Sequence, residues 1–144
     1  NTISSNTSSS AGGGVTVKNS KNSIVEISGN IINDNYSNSW AGGIALYDST
    51  ITVEGNEISG NTGDDGGGMD VGGCAGTIYS NTITYNTAEE YNGGGIFVAD
   101  SNVDIGGTTD TDIGNFNTIC GNSPQQIDPD SYPNNYICNI CPCP

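Results

Sequence analysis

A six-residue phrase, Asn-x-Ile-x-x-Asn, returns five times along the chain: Asn1–Asn6, Asn30–Asn35, Asn56–Asn61, Asn81–Asn86 and Asn117–Asn122. The copies start at 1, 30, 56, 81 and 117, so successive starts are 29, 26, 25 and 36 residues apart. A period in the twenties or thirties signals a solenoid, in which each repeat is one coil that cannot bury its apolar face alone.

Each repeat carries three apolar patches. The first is the Ile of the phrase: Ile3, Ile32, Ile58, Ile83 and Ile119. The second follows a glycine cluster, as in Gly12-Gly13-Gly14-Val15-Thr16-Val17 and Gly66-Gly67-Gly68-Met69-Asp70-Val71. The third precedes the next phrase: Val25/Ile27, Ile51/Val53, Ile78 with Gly76 in the other place, and Val103/Ile105. Every patch alternates, the period of a strand with one buried face. No window places apolar residues at helical spacing, so no substantial helix is expected.

The expected fold is therefore all-β: a parallel β-helix of about five rungs with three short strands per rung. It should occupy residues 1–122. Equivalent residues should stack about 4.8 Å apart, with Ile on Ile inside. The asparagines, Asn1, Asn30, Asn56, Asn81 and Asn117 in one series and Asn6, Asn35, Asn61, Asn86 and Asn122 in the other, should form ladders at the corners. The glycine clusters are read as corners needing positive φ. Segments Tyr36–Trp40, Asn61–Asp65 and Thr87–Asn92 read as polar loops. All five prolines lie beyond residue 122, so 123–144 reads as an irregular Cys/Pro-rich cap or linking tail that cannot continue a ladder.

Composition narrows function. Sixteen acidic residues against two lysines, with no Arg or His, give a net charge of −14. That excludes a basic nucleic-acid footprint and attraction to an anionic membrane surface, and no apolar run is long enough to insert into a bilayer. The chain begins inside a repeat with neither an initiator Met nor a signal-like segment, which reads as a mature product or a fragment. An uncapped rung there is expected to be covered by more chain or by another subunit.

Phrases such as Ile32-x-x-Asn35, Ile58-x-x-Asn61 and Ile83-x-x-Asn86, alternating with Gly-Gly-Ile/Val/Met, resemble right-handed parallel β-helix repeat proteins. They are similar to the Gly-Gly-Ala-Ile and Phe-x-x-Asn repeats of polymorphic outer-membrane and adhesin-type proteins. The composition also resembles surface-layer and sheath proteins. The resemblance implies right-handedness, an extracellular or cell-surface location and self-association; the same fold also carries lyases, hydrolases and adhesins.

A lyase acting on uronates needs cationic groups, and this chain offers only Lys18 and Lys21, in one loop. A hydrolase needs two carboxylates across a groove; Asp48, Glu54, Asp70, Asp100 and Asp104 are the candidates, weighed against a plain solubilising role. No catalytic residue is assigned. Asp64-Asp65 and Asp110-Thr111-Asp112 are candidates for a structural calcium, without the spacing of a dedicated loop; no other cofactor is expected. Asn6 and Asn35 lie in glycosylation sequons. Tyr36, Trp40, Tyr47, Tyr79, Tyr85 and Tyr91 offer a sugar-binding or subunit-binding surface. Cys74, Cys120, Cys138, Cys141 and Cys143 read as disulfide partners of an exported protein, with Cys138, Cys141 and Cys143 able to link the tail to another chain.

These readings converge on a non-enzymatic extracellular structural protein that assembles with copies of itself into a filament, sheath or layer. A carbohydrate-active or carbohydrate-binding β-helix, or an adhesin fragment, is the alternative.

Overall fold

A computed structural model describes residues 1–90, 93–106, 116–124 and 127–130. They form a parallel β-solenoid without helix. The first sheet stacks the five phrases: Thr2–Ser4, Ile31–Asn33, Glu57–Ser59, Thr82–Thr84 and Thr118–Cys120. Their register sets Ile3, Ile32, Ile58, Ile83 and Ile119 in one column.

The third sheet stacks Val15–Lys18, Ile44–Tyr47, Met69–Gly72, Ile96–Ala99 and Ile127–Asp130. The fourth stacks Ile24–Ser28, Thr50–Glu54, Ala75–Tyr79 and Asn102–Ile105. The three apolar patches supply the inward residues of these sheets, and together they make one continuous core. Ile32, Ile44, Leu46, Val53, Ile58, Met69, Ile78, Ile83 and Ile96 are fully buried in it.

Three strands per rung were expected, and four are present. The second sheet consists of two-residue strands, Thr7–Ser8, Tyr36–Ser37, Thr62–Gly63 and Thr87–Ala88, the last three within segments read as loops. Their inward residues are Ser37, Gly63 and Ala88, all buried. They are small because the glycine clusters pass directly against them: a Cβ on Gly42 would lie 2.4 Å from the Thr62 backbone nitrogen, and one on Gly67 2.4 Å from the Thr87 oxygen. Two residues with no bulky apolar member carry no period to read.

The clusters therefore need glycine for close approach, and among their described members only Gly93 has positive φ. Left-handed backbone sits instead at three other corners, in the columns Ser5/Asp34/Gly60/Tyr85/Gly121, Asn19/Asp48/Gly73/Asp100 and Gly29/Gly55/Ser80/Gly106.

There are four complete turns, from Asn1 to Asn117, and a fifth that runs to its third strand. Ser123 bridges to Thr87, and Ile127 pairs with Ile96. The ladder thus continues past residue 122 to Asp130, because Ile127 packs against the core despite Pro129 beside it. A proline is tolerated in the outermost strand of a ladder. The longer first repeat is absorbed by residues 21–23, which bulge between Ser20, level with Ser49, and Ile24, level with Thr50.

Candidate functional site

Two asparagine columns run up the inside of the corners flanking the first sheet. In one, Asn30 donates from N and Nδ2 to Asn56 Oδ1 (2.9 and 3.1 Å), Asn56 does the same to Asn81, and Asn81 to Asn117. Asn1 Nδ2 donates to Asn30 Oδ1 at 3.2 Å. In the other, Asn6 donates to Asn35, Asn35 to Asn61, Asn61 to Asn86 and Asn86 to Asn122, all at 2.8–3.0 Å. The second amide hydrogen of Asn61 goes to the Ile32 carbonyl and that of Asn86 to the Ile58 carbonyl, each at 2.9 Å. From Asn35 and Asn56 onward the amides of both columns are buried.

That accounting removes Asn35 as a glycosylation acceptor. Its Nδ2 already donates to Ile3 O and Asn61 Oδ1, and Ser37 of the sequon is buried, donating its hydroxyl to the Ser10 and Ala11 carbonyls. Asn6 is exposed in the first rung and also donates into the ladder.

A further internal column, missed in the sequence, is Ser20/Ser49/Cys74/Ser101. Ser20 N donates to Ser49 Oγ at 3.1 Å and Cys74 N to Ser101 Oγ at 3.0 Å. The Cys74 thiol donates to the Gly72 carbonyl. Burial pushes the thiol's pKa up. Cys74 is thus a buried free thiol standing in for serine, and the disulfide reading is corrected there. Cys120 is buried in the last strand of the first sheet, level with Thr84. Cys138, Cys141 and Cys143 lie outside the described residues, as do Tyr91, Asp110 and Asp112.

Asp64 and Asp65 lie beside the second sheet. Among the described residues no three metal-ligating side chains gather into an ion site. The candidate carboxylates separate as well. Asp48 pairs with Lys21 at 2.7 Å. Glu54 accepts from the Tyr79 hydroxyl on the fourth sheet, where Asp104 stands level with Thr77. Asp100 occupies the left-handed corner two rungs from Asp48. Asp70 belongs to the third sheet. No cavity opens among the described residues.

One constellation does form, on the outer face of the third sheet. Tyr47 and Gly72 are level in neighbouring strands, and a Cβ on Gly72 would lie 2.9 Å from the Tyr47 ring. The missing side chain lets that ring lie across the next strand, where its hydroxyl donates to Asp70, the diagonal neighbour on the same face. Trp40 meets Tyr47 edge to face, with centroids 4.9 Å apart. The Lys18 ammonium sits 5.3 Å from the Trp40 centroid and 5.4 Å from that of Tyr47. Tyr47 also packs on the small apolar cluster Ala11, Ala41 and Ala45.

Burial raises the Asp70 pKa to about 7, partly offset by the Tyr47 hydrogen bond and reinforced by the Asp65 charge. The Tyr47 phenol is pushed up by burial, by the Asp70 charge and by their hydrogen bond. Of the six aromatics read as one surface, only Trp40 and Tyr47 meet among the described residues. Tyr36 faces Glu89, Tyr79 faces Glu54, and Tyr85 stands exposed over Gly121. Lys18 was not read with the aromatics, although aligning the glycine clusters sets it level with Tyr47.

Stacked coils, inward isoleucine columns and parallel pairing define a β-solenoid. A family model described as a right-handed beta helix region matches residues 1–136, and the chain belongs to that family. No curated protein and no solved structure matches it.

Proposed function

We propose that this chain is a structural protein of the cell exterior, without catalytic activity, whose copies associate head to tail. The observation that carries the reading is the one-way asparagine ladder. Each rung donates from N and Nδ2 at one edge and accepts on Oδ1 at the other. The two edges are unlike and complementary, the condition for a heterologous contact that propagates into a filament or layer. The net charge of −14 favours solubility at an exposed surface.

Electron microscopy and light scattering of the purified protein, with and without reductant, test this. Filaments or sheets support the reading; monomers in both conditions refute it. Reductant sensitivity would implicate Cys138, Cys141 and Cys143.

A glycan-directed role is the second reading, favoured by Trp40, Tyr47 and Asp70 on one outer face. Glycan turnover abolished by Asp70→Asn would replace the structural reading with this one.

A further inference from the structure

We propose that Trp40 and Tyr47 form a seat for an alkylammonium group, filled here by the chain's own Lys18 and open to an external amine when Lys18 turns into solvent. The evidence is a cation already in place. The Lys18 ammonium lies 5.3 and 5.4 Å from two ring centroids, within the range at which a ring quadrupole attracts a cation. The rings stand at 65° to one another, so they present two differently oriented surfaces to one charge.

Two acidic side chains lie beside Tyr47. Asp70 accepts the Tyr47 hydroxyl, which draws electron density toward the ring's negative face. Asp65 follows Trp40 one rung on, its backbone nitrogen donating to the Trp40 carbonyl at 3.2 Å. Asp65, and Asp70 when it is ionised, make the potential beside Tyr47 more negative.

The seat is reachable. Trp40 is 43 % exposed and Lys18 is exposed on a flexible four-carbon stem. A ligand therefore competes with a tethered group that loses little by leaving. The class it fits is a small primary or quaternary alkylammonium, as carried by an amino sugar or a choline-type headgroup. A neutral sugar gains nothing from the two rings' attraction for a cation.

Trp40 is the only tryptophan of the chain, so fluorescence excited selectively at tryptophan, beyond the tyrosine absorption band, reports on this seat. Wild type, Lys18→Ala and Lys18→Gln are titrated with tetramethylammonium chloride, glucosamine, N-acetylglucosamine and sodium chloride, with circular dichroism to verify folding. The expected result is a saturable change with one or both amines in both variants, at about tenfold lower concentration than in wild type, because the competing side chain is gone. The responding amine identifies the source. Folded variants that show no saturable response to either amine would overturn the proposal. So would an equal response to N-acetylglucosamine or to sodium chloride.

Discussion

The inside of the solenoid and the outer face of its third sheet obey different rules. In the first sheet and its two corners, position fixes residue type: isoleucine stacks on isoleucine and asparagine on asparagine through every turn. Outside, the column that holds Lys18 holds Tyr47, Gly72 and Ala99 in later rungs. Next to it run Thr16, Ala45, Asp70 and Phe97. The interior is thus a translational object in which one defect is felt by both neighbours. The outer face is a local object, assembled once. A solenoid states its fold by repetition and its chemistry by departure from it.

The sharpest test breaks an interior column. Asn61→Ala strands the Asn35 donors and the Ile32 carbonyl together, and chemical denaturation should show a loss of about 4 kcal/mol. Asn33, on the outer side of the first sheet, should cost under about 0.5 kcal/mol as Ala; equal costs would erase the contrast drawn here. Ile58→Ala should cost about 3 kcal/mol through lost burial and the cavity left in the column.

The outer face should show itself in pH. Asp70's folded pKa, about 7, lies above its ordinary value, so the folded state holds a proton that the unfolded chain releases. Its contribution is fully present below about pH 4, falls as pH rises through 7, and is flat above. Stability should drop by on the order of 4 kcal/mol across that window, and Asp70→Asn should flatten the slope. Among the buried positions the smallest effect belongs to Cys74→Ser, which should change stability by less than about 1 kcal/mol, since serine already holds the same place at Ser49 and Ser101; a large loss would mean the thiol has a separate role.

The sequence made the columns legible because each inward residue is bulky or amide-bearing and recurs at a nearly constant interval. Residue type alone defines Ile32, Ile58 and Ile83 as one stack. The second sheet was not legible, since Ser37, Gly63 and Ala88 share no property except smallness, and two residues cannot show alternation. The glycine clusters were visible but mechanistically misread: Gly12 and Gly66 leave room for a carbonyl of their own rung, whereas Gly13, Gly43, Gly67 and Gly68 leave room for the backbone of the next rung, which lies far off in sequence. Ile127 escaped notice among prolines because composition outweighed its register with Ile96. Of the outer constellation, the residues were legible singly. Their meeting depended on Gly72 leaving room for a ring from another turn, a coincidence between coils that no single repeat displays.

The asparagine amides described above all face the same way along the axis. Backbone peptides in a strand alternate left and right, so their dipoles largely cancel, but these side chains do not. Ten aligned amides in two files polarise one another through continuous hydrogen-bonded chains. The coil consequently has an electrical direction, and its two poles are distinguishable to anything that approaches along the axis.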